Sequence, residues 1–123
     1  MVNTGLPIHW VCSDKEYFRK IQHIDGTAVP FASANVIQSM NHAISDIQNN
    51  HKATNHSFLM ILAGKDKLVC NAAAREFYSK TATPSDKKSI KLFPNSMHEI
   101  HKEGKFKGEM YESIYKYVAK TLQ

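Results

Sequence analysis

Phe58-Leu59-Met60-Ile61-Leu62 is an unbroken apolar run, and it ends in Ala63-Gly64-Lys65-Asp66. A helix or strand with one wet face would interrupt such a run with polar residues. Continuous burial instead marks a strand covered on both faces, as inside a parallel sheet. A parallel partner needs a crossover connection, so a helix and a second strand are required nearby. Asp66, just past the carboxyl end of this strand, lies where open α/β sheets assemble their ligand sites. The functional question is what Asp66 meets.

The downstream chain supplies the crossover. Asn71 is a suitable N-cap for a helix reaching Lys80, with Ala72, Ala73, Phe77 and Tyr78 on its apolar side. Residues 81–86 form a polar loop containing Pro84, and residues 89–93 read as the second strand, closed by Pro94-Asn95. Strand, helix, strand in that order implies a right-handed parallel crossover. A loop follows, interrupted by Gly104 and Gly108, before a last helix from Glu109. There Met110, Ile114, Val118 and Leu122 form a stripe expected to pack on the sheet.

Upstream, residues 33–48 form an amphipathic helix with Val36, Ile37, Met40, Ile44 and Ile47 on one side, Met40 being expected as core filler. Residues 1–30 carry weaker signals. Ser13 and Glu16 match a capping box, Trp10, Tyr17, Phe18 and Ile21 offer apolar anchors, and Asp25-Gly26 marks a turn ahead of Pro30.

Neighbouring parallel strands end side by side, about one strand spacing apart. Asp66 follows the first strand and His98 the second, so their side chains can meet. A carboxylate on one imidazole nitrogen fixes the tautomer and stabilises the imidazolium, leaving the other nitrogen to take a proton from a hydroxyl. The order Asp then His is the order in which α/β-hydrolases supply these groups.

The segments around the two residues resemble a known family. Residues 62–69, Leu-Ala-Gly-Lys-Asp-Lys-Leu-Val, resemble the acid-bearing segment of the monoacylglycerol lipase and lysophospholipase branch of the α/β-hydrolases, which includes proteins described as serine aminopeptidases. Residues 90–103, from Ile90 through Phe93, Pro94, Asn95, His98 and His101 to Glu103, resemble that branch's catalytic-histidine segment. The resemblance implies an α/β fold consisting of the carboxyl-terminal portion of an α/β-hydrolase: the last two parallel strands with flanking helices, plus part of a helical cap. It divides the chain into a partial cap over residues 1–32 and core over residues 33–123. It makes Asp66 the triad acid, His98 the general base, and His101 a structural residue that holds the loop by a hydrogen bond. The implied substrate is a small-molecule acyl ester or lipid, with no cofactor and no metal.

One family element is missing from the sequence. With glycine only at Gly5, Gly26, Gly64, Gly104 and Gly108, no serine has a glycine two positions to either side, so Gly-x-Ser-x-Gly does not occur. The expectation is a serine-hydrolase portion inactive alone. The alternative is a non-catalytic remnant that binds a ligand or a partner.

Other chemistries are weaker. His98-Glu99 is followed at the fifth position by Lys102, so the zinc-protease pattern fails. Cys70 lacks an elbow to present it as a nucleophile and is expected to be packed. The net charge of +5, with clusters at Lys87, Lys88, Lys91 and at Lys102, Lys105, Lys107, lacks interleaved aromatics, which disfavours nucleic acid. Two cysteines form no disulfide framework, and no signal peptide or membrane-length apolar run occurs, so a cytoplasmic protein is expected. Peripheral membrane contact through the cap and self-association through an exposed strand edge are the other expected interactions.

Overall fold

The computed structural model of the chain describes residues 2–3, 7–23 and 31–122. The elements in order are β1 (Val2–Asn3), α1 (Lys15–His23), β2 (Phe31–Ala32), α2 (Ala34–Asn49), β3 (Phe58–Ala63), α3 (Asn71–Lys80), β4 (Lys88–Phe93) and α4 (Gly104–Thr121). Short 3-10 turns lie between several of them. The turn expected at Asp25-Gly26 and the break at Pro30 fall outside the described residues, as do the side chains of Phe18 and Ile21.

The apolar run is β3, and it pairs in parallel with β4 from Phe58↔Lys88 to Ala63↔Phe93. The α3 crossover closes the amino end of this pair. Phe58 meets the rings of Phe77 and Tyr78 at centroid distances of 6.4 and 5.8 Å. The Tyr78 hydroxyl donates to the Lys88 carbonyl at 3.1 Å, and Lys88 Nζ donates to the Tyr78 carbonyl at 2.7 Å. Thus Lys88, in one of the basic clusters, fastens the start of a strand.

The core sits at the other end of the pair. Ala63, Phe93, Ile100 and Met110 bury one another, and Phe106 stacks edge-on against Phe93 at 6.1 Å. This packing lies at the loops that carry Asp66 and His98.

Helix α4 corrects one expectation, because it begins at Gly104 rather than Glu109. The Glu103 carbonyl accepts from both Phe106 N and Lys107 N at 2.9 Å, so the first turn forms through the glycines. A helical glycine costs about 1 kcal/mol relative to alanine, and seating Phe106 on Phe93 offsets that. Only the first residue of the α4 stripe is buried. Met110 reaches the core, whereas Ile114, Val118 and Leu122 are exposed. Lys91 Nζ to Glu109 Oε1 at 2.7 Å and the Tyr117 hydroxyl to the Lys87 carbonyl at 2.9 Å hold α4 beside β4.

Helix α2 begins one residue later than expected, because Ser33 is its N-cap, with Oγ accepting from Val36 N at 3.2 Å. Its apolar face is a second correction. No residue of α2 is buried, and Met40 is 59% exposed rather than core filler. At α1 the cap is Asp14 instead of Ser13: Asp14 Oδ1 accepts from Glu16 N at 2.9 Å and Tyr17 N at 3.2 Å.

Candidate active site

Two loops leave the carboxyl ends of β3 and β4 and are laced together by backbone. Gly64 N donates to the Phe93 carbonyl at 2.8 Å, extending the ladder one step, and Lys65 N donates to the Ser96 carbonyl at 2.9 Å. The chains come so close here that a side chain at position 64 has no room. A Cβ on Gly64 would collide with the Pro94 carbonyl oxygen and lie 2.6 Å from Pro94 C and Cα. Glycine is required by this approach of backbone to backbone. Ser96 is fully buried in the junction, its Oγ donating to the Met97 carbonyl at 2.9 Å.

On this platform Asp66 and His98 meet, 32 positions apart in sequence. His98 Nδ1 lies 2.8 Å from Asp66 Oδ2, while Asp66 Oδ1 accepts from Leu68 N at 2.8 Å and Val69 N at 3.1 Å. The Asp66 side chain is 4% exposed and that of His98 35% exposed. Burial by itself pushes the Asp66 carboxyl up. The bond from His98 and the two backbone N–H bonds outweigh it and hold the group below the usual carboxylate range. An ionised carboxylate only accepts, so Nδ1 carries the hydrogen and Nε2 of the neutral ring is the acceptor. A base held in a defined tautomer at a partly exposed position can take a proton from a hydroxyl within hydrogen-bond reach of Nε2.

The His98 loop is fastened to the early chain by two acids that spacing did not single out. Glu103 is 4% exposed, and its carboxylate accepts from Ser13 N at 2.7 Å and Ser13 Oγ at 2.5 Å. Glu99 N donates to the Val11 carbonyl at 2.7 Å, and Glu99 Oε2 accepts from the Tyr17 hydroxyl at 2.9 Å. Burial first, then this bond to Glu99, pushes the Tyr17 hydroxyl up to about 12. Cys12, fully buried beside them, has its thiol raised mainly by burial. A separation of 90 residues between Ser13 and Glu103 leaves no local pattern from which to foresee the contact.

Three other expectations are corrected here. His101 is exposed and makes no hydrogen bond among the described residues, so Glu99 and Glu103 hold the loop instead. Cys70 is exposed, not packed. Asn71 does not cap α3; Cys70 occupies the N-cap position without a side-chain bond, and Asn71 Nδ2 donates to the Ala63 carbonyl at 2.7 Å. The amide thereby ties the start of α3 to the end of β3, just behind the Asp66 turn.

Among the described residues, no three of His, Cys, Asp and Glu are grouped to hold a metal ion, and no helix is long and apolar enough to cross a membrane. No curated protein matches the chain. The sequence model of the serine aminopeptidase S33 family matches residues 1–105. With a parallel strand pair, its crossover helix and a match over most of its length, the chain belongs to the serine aminopeptidase S33 family of α/β-hydrolases.

Proposed function

We propose that this chain is the acid–base portion of a serine hydrolase acting on carboxylic esters, of the monoacylglycerol lipase and lysophospholipase kind. The observation that carries the reading is the Asp66–His98 bond of 2.8 Å at the carboxyl ends of paired parallel strands, in a chain of this family. His98 Nε2 takes the proton of a serine hydroxyl as that oxygen attacks the ester carbonyl, then delivers it to the departing alcohol. Asp66 keeps the ring in the Nδ1–H tautomer and stabilises the imidazolium between those events. Residues 1–32 belong to the cap over the acyl chain, and residues 33–123 to the core. The cap is also where contact with a membrane surface would occur, and two free cysteines suit a cytoplasmic setting.

The serine belongs to a part of the fold this sequence does not contain, so the 123-residue chain alone has no esterase activity by this mechanism. In a protein joining it to the Gly-x-Ser-x-Gly-bearing part, His98→Ala and Asp66→Asn each lower kcat for a p-nitrophenyl ester by about 10³-fold or more. Turnover within about tenfold of the parent in either variant rejects the assignment. Parallel assays with aminoacyl amides separate an ester from a peptide substrate.

A second reading, a non-catalytic module that binds an acyl ligand or a partner, draws on one observation. Ile44, Ile47, Met60, Ala73 and Phe77 line an open groove of about 580 Å³ that Asp66 and His98 do not reach. Ligand sites commonly span about 300–1,000 Å³. Saturable fatty-acid binding lost in Phe77→Asp but unaffected by His98→Ala would favour this module.

A further inference from the structure

We propose that Glu103 and Ser13 form a latch that positions His98, so that the seating of residues 11–17 sets the alignment of the imidazole on Asp66. Glu103 occupies the N-cap position of α4 yet makes no side-chain bond to its own helix. Its carboxylate is turned back, buried, and given both donors of one residue, Ser13 N and Ser13 Oγ. A buried carboxylate is costly unless its oxygens are bonded, and these two bonds come from a segment remote in sequence.

The latch has a second tooth, and His98 lies next to it. Glu99, adjacent to His98, donates through its N–H to the Val11 carbonyl and accepts the Tyr17 hydroxyl. Lys102 Nζ lies 5.2 Å from the Tyr17 ring centroid on the same side. Residues 99 and 103, which bracket the short 3-10 turn Ile100–Lys102, are thus both clamped to residues 11–17. The His98 backbone is fixed on one side by the buried Ser96 junction and on the other by this clamp. Withdrawal of residues 11–17 frees the second side and strips Glu103 of its Ser13 donors. His98 then loses its hold on Asp66.

The consequence for catalysis rests on the general-base role proposed for His98, but the latch is measurable without any hydrolysis. Cys12 is fully buried within it, so thiol reactivity reports its opening. In a Cys70→Ser background, which removes the exposed thiol, Ser13→Ala raises the rate of Cys12 modification by dithionitrobenzoate about tenfold. Ring-nitrogen NMR of His98 shifts in the same variant from the Nδ1–H tautomer toward the average of free imidazole. Ser13→Thr, which keeps the hydroxyl, restores both. Tyr17→Phe, which removes the hydroxyl that donates to Glu99, moves both readouts in the same direction by less, and serves if Ser13→Ala does not fold. Glu112→Gln, distant on α4, moves neither. A rise in Cys12 reactivity with no change at His98, or no change in either, overturns the proposal. A normal latch with no hydrolysis in the serine-bearing protein would fault the catalytic reading instead.

Discussion

Helix α2 and the carboxyl end of the β3–β4 pair carry equally clear apolar patterns and meet opposite fates. At the strand ends, Ala63 and Phe93 are buried with Ile100 and Met110, and the polar loops above them are tied by backbone and carboxylate bonds. On α2, Val36, Met40, Ile44 and Ile47 line up just as regularly and are about half exposed. The contrast teaches that helical periodicity shows a face suited to burial, while burial itself requires a partner surface. The strands find theirs within the chain: β4, α3, the Ile100 turn and the first turns of α4. Among the described residues, helix α2 faces an open groove that α3 and β3 also line.

Substitutions in the two regions should therefore differ sharply in cost. The largest effect is expected for Phe93→Ala, which empties the centre of the core. Unfolding by urea should register a loss of about 3–5 kcal/mol. A loss below about 1 kcal/mol would mean the strand ends are no better packed than α2.

Next comes Gly64→Ala, which pushes a methyl group into the Pro94 backbone. A cost of about 1–3 kcal/mol is expected, together with loss of the His98 Nδ1–H signature, because the two loops must separate to admit the new atom. Retention of that signature would show that the platform yields without disturbing the pair.

A smaller effect concerns pH. The Asp66 carboxyl is held below its ordinary value in the folded chain, so its bonds stabilise the fold above the unfolded value and the benefit is lost as pH falls. The window therefore opens near about pH 4 and extends downward through the depressed folded value. Asp66→Asn should flatten the acid limb of a stability–pH curve. Tyr17 shifts the opposite way: with its hydroxyl raised to about 12, its contribution is present below the unfolded value and is lost as pH climbs from about 10 toward 12. Tyr17→Phe should remove that alkaline loss, and an unchanged limb would discount the bond to Glu99.

The smallest effect on stability is expected on α2. Met40→Gln with Ile44→Gln should alter unfolding by no more than about 0.5 kcal/mol, because neither side chain is buried. A loss comparable to that of Phe93→Ala would show that α2 is held in the core after all.

The dyad itself is legible in the sequence. Asp66 and His98 follow runs with strand character, α3 lies between them, and parallel pairing then puts both at one edge; the bond at 2.8 Å agrees. The departures arise where one residue's local signal competes with a distant partner. Ser13 has the form of a helix cap but goes to Glu103, so Asp14 takes over the cap. Asn71 has the form of a cap but goes to Ala63. Gly104 and Gly108 discourage helix locally, yet the Phe106–Phe93 contact draws α4 through them.

Period and punctuation thus locate β3, β4 and the helices around them, though not the start of α4, because backbone hydrogen bonding and alternation of burial act over a few residues. They also place an acid and an imidazole at neighbouring strand ends. Tertiary structure decides which apolar faces are covered, which acids are clamped, and that Gly64 is needed against Pro94. Those outcomes depend on surfaces brought together from positions such as Ser13 and Glu103, 90 residues apart, and no local pattern encodes such a meeting.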